Sequence, residues 1–186
     1  MIDQAAISEA VASIIQAIGE DPSREGLSDT PRRVAKMYAE FFSGLDMDPA
    51  EALATGFEEG HKEMVVLKDL PFFSICEHHL LPFFGAAEIG YVPNGRVVGA
   101  SKLGRALDVL ARRPQLQERL TLQLADAIYG TLRPEGVTVI LKAEHMCMSL
   151  RGVKKPGSKM VTSVSRGTFK TREATRREFY YLLGER

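Results

Sequence analysis

Apolar residues in the first third of the chain recur at the spacing of a helix. Ile7, Val11, Ile14, Ile15 and Ile18 share one face, and Gly19 follows as a stop. "SDTPRRVAKMYAEFF" then offers a cap at Thr30, Pro31 at the first helical position, and Val34, Met37, Tyr38, Phe41 and Phe42 along one side. Asp48-Pro49 repeats the cap-plus-proline start for a short third helix. From about residue 62 the pattern becomes that of strands. "EMVVLKDL" and "PFFSICEH" come first, and "FFGAAEIGYVP" and "RVVGAS" are predicted to form a hairpin through Asn94-Gly95. Two helical stretches follow, "KLGRALDVLARR" opening after Ser101 and "QLQERLTLQLADAIYGTL" opening after Pro114. "GVTVILKAEHMCMSLRGV" and "KMVTSVSRGTF" read as strands, and "TREATRREFYYLL" as a terminal helix. Antiparallel hairpins around two consecutive helices indicate an α+β fold with no internal repeat. The expected division is a helical arm over residues 1–60, packed on a core or a partner subunit, and an α+β domain over 61–186.

Length and composition narrow the class. A chain of 186 residues, 45% hydrophobic and 26% charged, can bury a real core and has the make-up of a soluble globular protein. Its formal net charge of zero argues against bulk nucleic-acid binding. The charge is uneven, however. Residues 1–60 carry twelve acids and four bases, a net of −8, whereas residues 151–186 carry ten bases and three acids, a net of +7. The plain reading is two solvated faces. The sharper one is that the basic end handles an anion, or that opposite ends meet in an oligomer. The N-terminus has acids where a signal peptide needs bases, and no long apolar run follows, so no membrane partner and a cytoplasmic location are expected. Thiols stay reduced there, which makes Cys76 and Cys147 better candidates for metal binding or catalysis than for a disulfide. A redox-sensitive pair is the alternative.

Candidate chemistry gathers in two places. "FFSICEHHLLPF" sets Cys76, Glu77, His78 and His79 within an apolar run, where unpaired polar groups are costly. In "VTVILKAEHMCMSLR" side chains are expected to alternate faces, so that Val137, Val139, Leu141, Ala143, His145, Cys147, Ser149 and Arg151 share a face that turns from apolar to polar. Cys76 with His78 or His79, plus Cys147, would give two thiolates and an imidazole around a tetrahedral ion with one position open. That is the pattern of catalytic zinc, whereas a closed structural site would recruit a fourth ligand from His78, His79 or His145. In "VVGASKLGR", Lys102 and Arg105 stand at a strand-to-helix junction suited to phosphate, or are ordinary surface bases after a serine cap. Glu118 in "QLQERL" alone reads as a solvated helix charge.

Together, "DTPRRVAKMYAEFFSGL", "FFSICEHHLLPFFG", "GASKLGR", "RPQLQERLT", "HMCMSLRGV" and "TRREF" closely resemble the GTP cyclohydrolase I family, in order and spacing, from about residue 25 to the C-terminus. The resemblance implies a tunnelling fold, four antiparallel strands with two helices on one face behind an N-terminal helical extension. It further implies a homo-oligomer, a decameric ring with active sites at subunit interfaces. It implies zinc held by Cys76, His79 and Cys147, and conversion of GTP and water to 7,8-dihydroneopterin triphosphate with release of formate. Proton transfer falls to His78 and His145, with His145 the acid at purine N7, and ribose opening to Ser101. Glu118 and Gln117 would serve the guanine end, and Lys102, Arg105 and Arg151 the triphosphate, with Arg33 from a neighbouring chain. Ala100 and the stretch Arg166-Gly167-Thr168-Phe169 depart from the family pattern, which bears on the fine shape of the base pocket. Rival readings are another tunnelling-fold enzyme, of pterin-processing or nitrile-reducing type, and a non-catalytic zinc-stabilised oligomer that binds a purine nucleotide.

Overall fold

The computed structural model describes residues 2–184. Three helices come first: α1 (Gln4–Ala17), α2 (Thr30–Phe41) and α3 (Pro49–Leu53). Then follow β1 (Phe57–Glu58), β2 (Val65–Cys76), β3 (Pro82–Val92), β4 (Arg96–Val97), α4 (Ala100–Ala111), β5 (Pro114–Gln115) and α5 (Gln117–Leu132). The chain ends with β6 (Gly136–His145), α6 (Met146–Ser149), β7 (Lys159–Gly167), α7 (Thr168–Thr171) and α8 (Glu173–Leu183). The main sheet runs β5-β2-β3-β6-β7. Its four long strands are antiparallel neighbours, and the two-residue β5 adds to β2 in parallel.

Alternation along the strands explains the layering. Phe83, Ala87, Ile89 and Tyr91 of β3, and Val137, Val139, Leu141 and Ala143 of β6, point to one face, where they are buried against Leu103, Leu107 and Leu110 of α4 and Leu120, Leu124 and Ile128 of α5. Each Val, Leu, Ile or Phe side chain among them contributes about 1.5–3 kcal/mol on burial, so this face carries most of the stabilisation. The opposite face is covered at one end by the C-terminal helices, where Phe169 and Phe179 pack with Ile140. Gly90 makes that contact feasible, because a Cβ there would lie 2.6 Å from the Phe179 ring. This is the tunnelling fold, an antiparallel sheet with two helices on one face.

Several expectations change in detail. The two segments ending in "KDL" and "ICEH" are one strand, bent by a register shift between Leu67 and Leu70 where Asp69 takes φ +56°. Asn94-Gly95 does turn the chain, with Gly95 at φ +76°, but no hairpin results: Arg96–Val97 pair with Phe57–Glu58 instead of with β3. Ser101 lies inside the first turn of α4, with Gly99 as the cap, and α2 is capped at Asp29, one residue before Thr30. α5 starts at Gln117 because Pro114 and Gln115 are taken up as a strand beside Ile75 and Cys76. The most consequential correction concerns the last strand face. β6 stops at His145 and the chain coils at Met146, so Cys147, Ser149 and Arg151 do not continue the alternation.

The helical segments attach unevenly. α3 buries Leu53 in the main core, and Arg113 donates to the carbonyls of Gly44 and Met47, tying the α2–α3 turn to α4. A Cβ at Gly44 would meet Val109 O at 2.1 Å, so the backbones touch there. α1 packs with α2, and of its apolar stripe only Ile15 is buried; Ile14 and Ile18 are 59% and 72% exposed.

Candidate metal centre and active site

Cys76 ends β2, and the chain reverses over four residues to rejoin the sheet. Leu80 N–H donates to Cys76 O at 2.9 Å, Cys76 N–H donates to Leu81 O at 2.9 Å, and Leu80 takes φ +51° to close the loop. This tight reversal throws His78 and His79 outward, both exposed. Across β3, β6 delivers His145, and the helical turn after it brings Cys147 back toward Cys76. The ligand atoms of Cys76, His79 and Cys147 lie within 4.8 Å of one another. Three such ligands on one zinc would sit about 3.5–3.8 Å apart, so the cluster has the size of a metal site.

Its chemistry fits as well. Both cysteines are free thiols. Burial pushes the Cys147 thiol up, and the neighbouring Cys76 adds to the effect. The Cys147 thiol therefore resists ionising until a cation joins it. Arg151 Nη1 lies 3.1 Å from His79 Nε2, and a guanidinium can only donate, so that ring nitrogen is the acceptor. Two nearby carboxylates, Glu77 and Glu144, are engaged elsewhere. Glu77 makes a two-pronged ion pair with Arg119, one contact at 3.1 Å, and this bond holds its carboxyl below the usual range. Glu144 accepts from Ser149 Oγ at 2.6 Å and Gly157 N–H at 2.9 Å. Among the described residues three side chains gather and no fourth joins them, a set that would suit a catalytic rather than a closed structural zinc site.

His145 stands beside this cluster. Its ring lies flat on Phe83, its partner across the strands, with centroids 4.6 Å apart and planes within 1°. Its Nε2 is 2.8 Å from Gln117 Oε1. Burial pulls its pKa down, while the negative charge of Glu118 pulls it up. Glu118 itself, in the first turn of α5, is exposed. A half-buried imidazole at His145, an exposed imidazole at His78, a free carboxylate at Glu118 and a three-ligand cluster thus share one corner.

Other candidates lie away from it. Ser74 Oγ donates to Ala111 O at 2.8 Å, so the C-terminal end of α4 is the end near Cys76. Ser101 and Lys102 lie at the other end, roughly 15 Å along the helix axis at 1.5 Å per residue. Arg105 lines a groove of about 410 Å³ against Met47, Asp48 and Glu51. Arg33 is exposed on α2 and paired with Asp29 at 3.5 Å. The chain alone brings together Cys76, His78, His79, Gln117, Glu118, His145, Cys147 and Arg151, but not Ser101, Lys102, Arg105 or Arg33. The supports that sequence reading missed are Phe83, Arg119, Thr121 and Thr162. Each looks like ordinary strand or helix filling, and its role depends on long-range register.

Fold and site together define a tunnelling-fold enzyme with a three-ligand metal centre. The chain belongs to the GTP cyclohydrolase I family, whose family model matches residues 7–184. It is 57% identical over 188 residues to GTP cyclohydrolase 1 of Dehalococcoides mccartyi, covering 100% of both chains. It is 59% identical over 183 residues to that of Halalkalibacterium halodurans, covering 98% of this chain and 97% of the other. Among solved structures, an archaeosine synthase QueF-Like protein in its apo form matches with a TM-score of 0.45 at 21% identity, covering 56% of this chain and 93% of that one. No helix among the described residues is long and apolar enough to cross a membrane.

Proposed function

We propose that this chain converts GTP and water to 7,8-dihydroneopterin triphosphate and formate, the entry to folate-type pterins, at sites completed between subunits of a homodecamer in the cytoplasm. The single observation carrying this reading is the corner itself, where a three-ligand metal cluster lies beside a half-buried imidazole and an exposed carboxylate. Cys76, His79 and Cys147 would hold zinc, which when bound supplies a Lewis acid able to bring the pKa of a water toward about 7.

The chain's own groups account for the rest. Guanine offers N1–H and N2–H₂ as adjacent donors, which the Glu118 carboxylate accepts together; adenine has an acceptor at N1 and would leave that charge unpaired. Purine C8 is a poor electrophile until N7 is protonated, and His145 is the acid for that step. His78, an exposed imidazole, shuttles protons as the imidazole ring opens and formate leaves. Ser101 assists opening of the ribose so that the carbon chain can close into the pterin. Lys102, Arg105 and Arg151 take the triphosphate, and Arg33 joins from another chain.

The separation of Ser101 and Lys102 from Cys76 along α4 supports assembly between chains, since one chain does not hold the phosphate and ring-opening groups together. The exposed stripe of α1 and the opposed charges of the chain's two ends suit such contacts. The residue 1–60 segment then acts as an assembly arm, and 61–186 as the domain that carries the chemistry. The test is direct. Zinc-loaded protein given GTP should release formate and one equivalent of a pterin that fluoresces after oxidation; the absence of formate sinks the reading.

A further inference from the structure

Gln117 is the first residue of α5 and 1% exposed. Its amide nitrogen lies 3.0 Å from Leu141 O on β6, 3.0 Å from Met160 O on β7 and 3.1 Å from Thr162 Oγ1. Main-chain carbonyls only accept, so the atom facing them is the nitrogen and the amide cannot be turned over. The hydroxyls close the same circuit. Thr121 donates its one hydrogen to Gln117 O at 2.7 Å, so across the 2.7 Å gap between the two threonines it is Thr162 that donates. Thr162 Oγ1 is thereby an acceptor toward Gln117. Every hydrogen in the circuit follows from carbonyls that have no choice.

The amide oxygen is what remains, and it faces His145 Nε2 at 2.8 Å. An amide oxygen has only lone pairs to offer, so Nε2 carries a hydrogen. Neutral His145 is then the Nε2–H tautomer, with its lone pair on Nδ1. Phe83, stacked at 4.6 Å, fixes the plane of the ring, and Gln117 fixes its rotation within that plane.

We infer that Gln117 is a positioning residue that fixes the tautomer and orientation of His145, so that Nδ1 is the atom through which His145 exchanges a proton with the substrate. This rests on the proposed reaction and adds the atom that performs one step of it. In that step the Nδ1–H bond of the imidazolium breaks and an N7–H bond forms on the purine. The positive charge passes to the purine, and His145 is left neutral with its Nε2 hydrogen still on Gln117. Nδ1 regains a proton from water once the purine ring has opened. The Gln117 oxygen accepts from Nε2 in both charge states, so no hydrogen bond rearranges during the transfer. Gln117, with its two amide hydrogens shared among three acceptors, has no donor left for the base, and guanine is read by Glu118.

The test combines Gln117→Met, Gln117→Glu, and solid-state ¹⁵N spectra of histidine-labelled wild type at about pH 8, above the usual imidazole pKa. The chain has four histidines, so His145 is assigned by the signal that His145→Ala removes. The expected wild-type spectrum shows His145 protonated at Nε2 and bare at Nδ1; the reverse overturns the inference, whatever the variants do. Gln117→Met should lower kcat about 10- to 100-fold with KM for GTP within about twofold. Gln117→Glu, whose protonated carboxyl can donate to the strands and accept from Nε2, should recover kcat to within about fivefold of wild type. In a His145→Ala background, adding Gln117→Met should cost less than about twofold, because the pair acts as a unit. A rise in KM at constant kcat, or losses that multiply in the double variant, means that Gln117 acts on the substrate or the fold and defeats the inference. A wild type that releases no formate defeats the proposed reaction instead, and the spectrum still decides the tautomer.

Discussion

At the Cys76 corner the groups that must aim at a reacting atom are held on several sides. His145 is stacked, hydrogen-bonded and half-buried, the loop 76–81 is pinned by two main-chain bonds, and Glu77 is tied to Arg119. At the first turn of α4 the opposite holds. Ser101 and Arg105 are exposed, and no side-chain hydrogen bond or ion pair holds Ser101, Lys102 or Arg105 among the described residues. On the proposed reading the difference follows the chemistry. Proton transfer and metal ligation fail if an atom is misplaced by an ångström, so they are built within one rigid piece of chain. A triphosphate clamp works through charge on long side chains, and it tolerates assembly across an interface.

The largest break in this comparison comes from the rigid half. Cys147→Ala should lose zinc and lower turnover by more than about 10³-fold, whereas His145→Ala should keep zinc and lose about 10²- to 10⁴-fold. Metal analysis alongside the formate assay separates the two. Equal zinc in both variants would remove Cys147 from the ligand set. Glu118→Gln comes next: its kcat/KM for GTP should fall about 10²- to 10³-fold with melting unchanged, since an exposed side chain contributes little to the fold. An unaltered rate would return Glu118 to the solvated surface of α5.

The comparison is sharpened by mixing chains. Ser101→Ala and Cys147→Ala should each be nearly inactive alone. If the two halves come from different chains, a ring reassembled from equal parts of both variants has intact halves together at about one site in four. Recovery of about a quarter of wild-type turnover is therefore expected. No recovery would place both halves on one chain and contradict the distance along α4.

Local pattern made most of the fold legible. The helical period of Ile7 to Ile18, the Asp48-Pro49 start and the alternation in β3 and β6 all correspond to the elements observed. What failed was pairing. Asn94-Gly95 signalled a turn correctly, yet β4 found Phe57–Glu58, because a two-residue strand is claimed by whichever edge is near. The alternation drawn through Cys147 to Arg151 failed because "HMCMS" has no β-branched residue to resist a helical turn, and that turn is what swings Cys147 toward Cys76. The ligand trio was legible through family resemblance. The support behind His145 was not, since Gln117, Thr121 and Thr162 meet only after β6 and β7 are in register.

The smallest expected effect tests whether the rigid half is rigid as a unit. Arg119 follows Glu118 on α5, Glu77 follows Cys76, and their ion pair joins the helix that carries Glu118 to the loop that carries Cys76. Both side chains are partly exposed, 41% and 30%, so the pair lends modest stability. Arg119→Met should fold, hold zinc at neutral pH and lower kcat/KM only about three- to tenfold, through slack in the loop. The sign of its pH dependence is fixed by Glu77. Arg119 holds that carboxyl below its usual range, so the pair stabilises the fold above the ordinary carboxylate pKa of about 4.3 and is lost as pH falls through the depressed folded value. The melting temperatures of wild type and Arg119→Met should therefore differ by about 1–3 °C at pH 7 and converge toward about pH 3. A difference that persists in acid, or a variant with unaltered kcat/KM, would make the pair an ordinary surface contact and leave the metal loop and α5 as two separately anchored pieces.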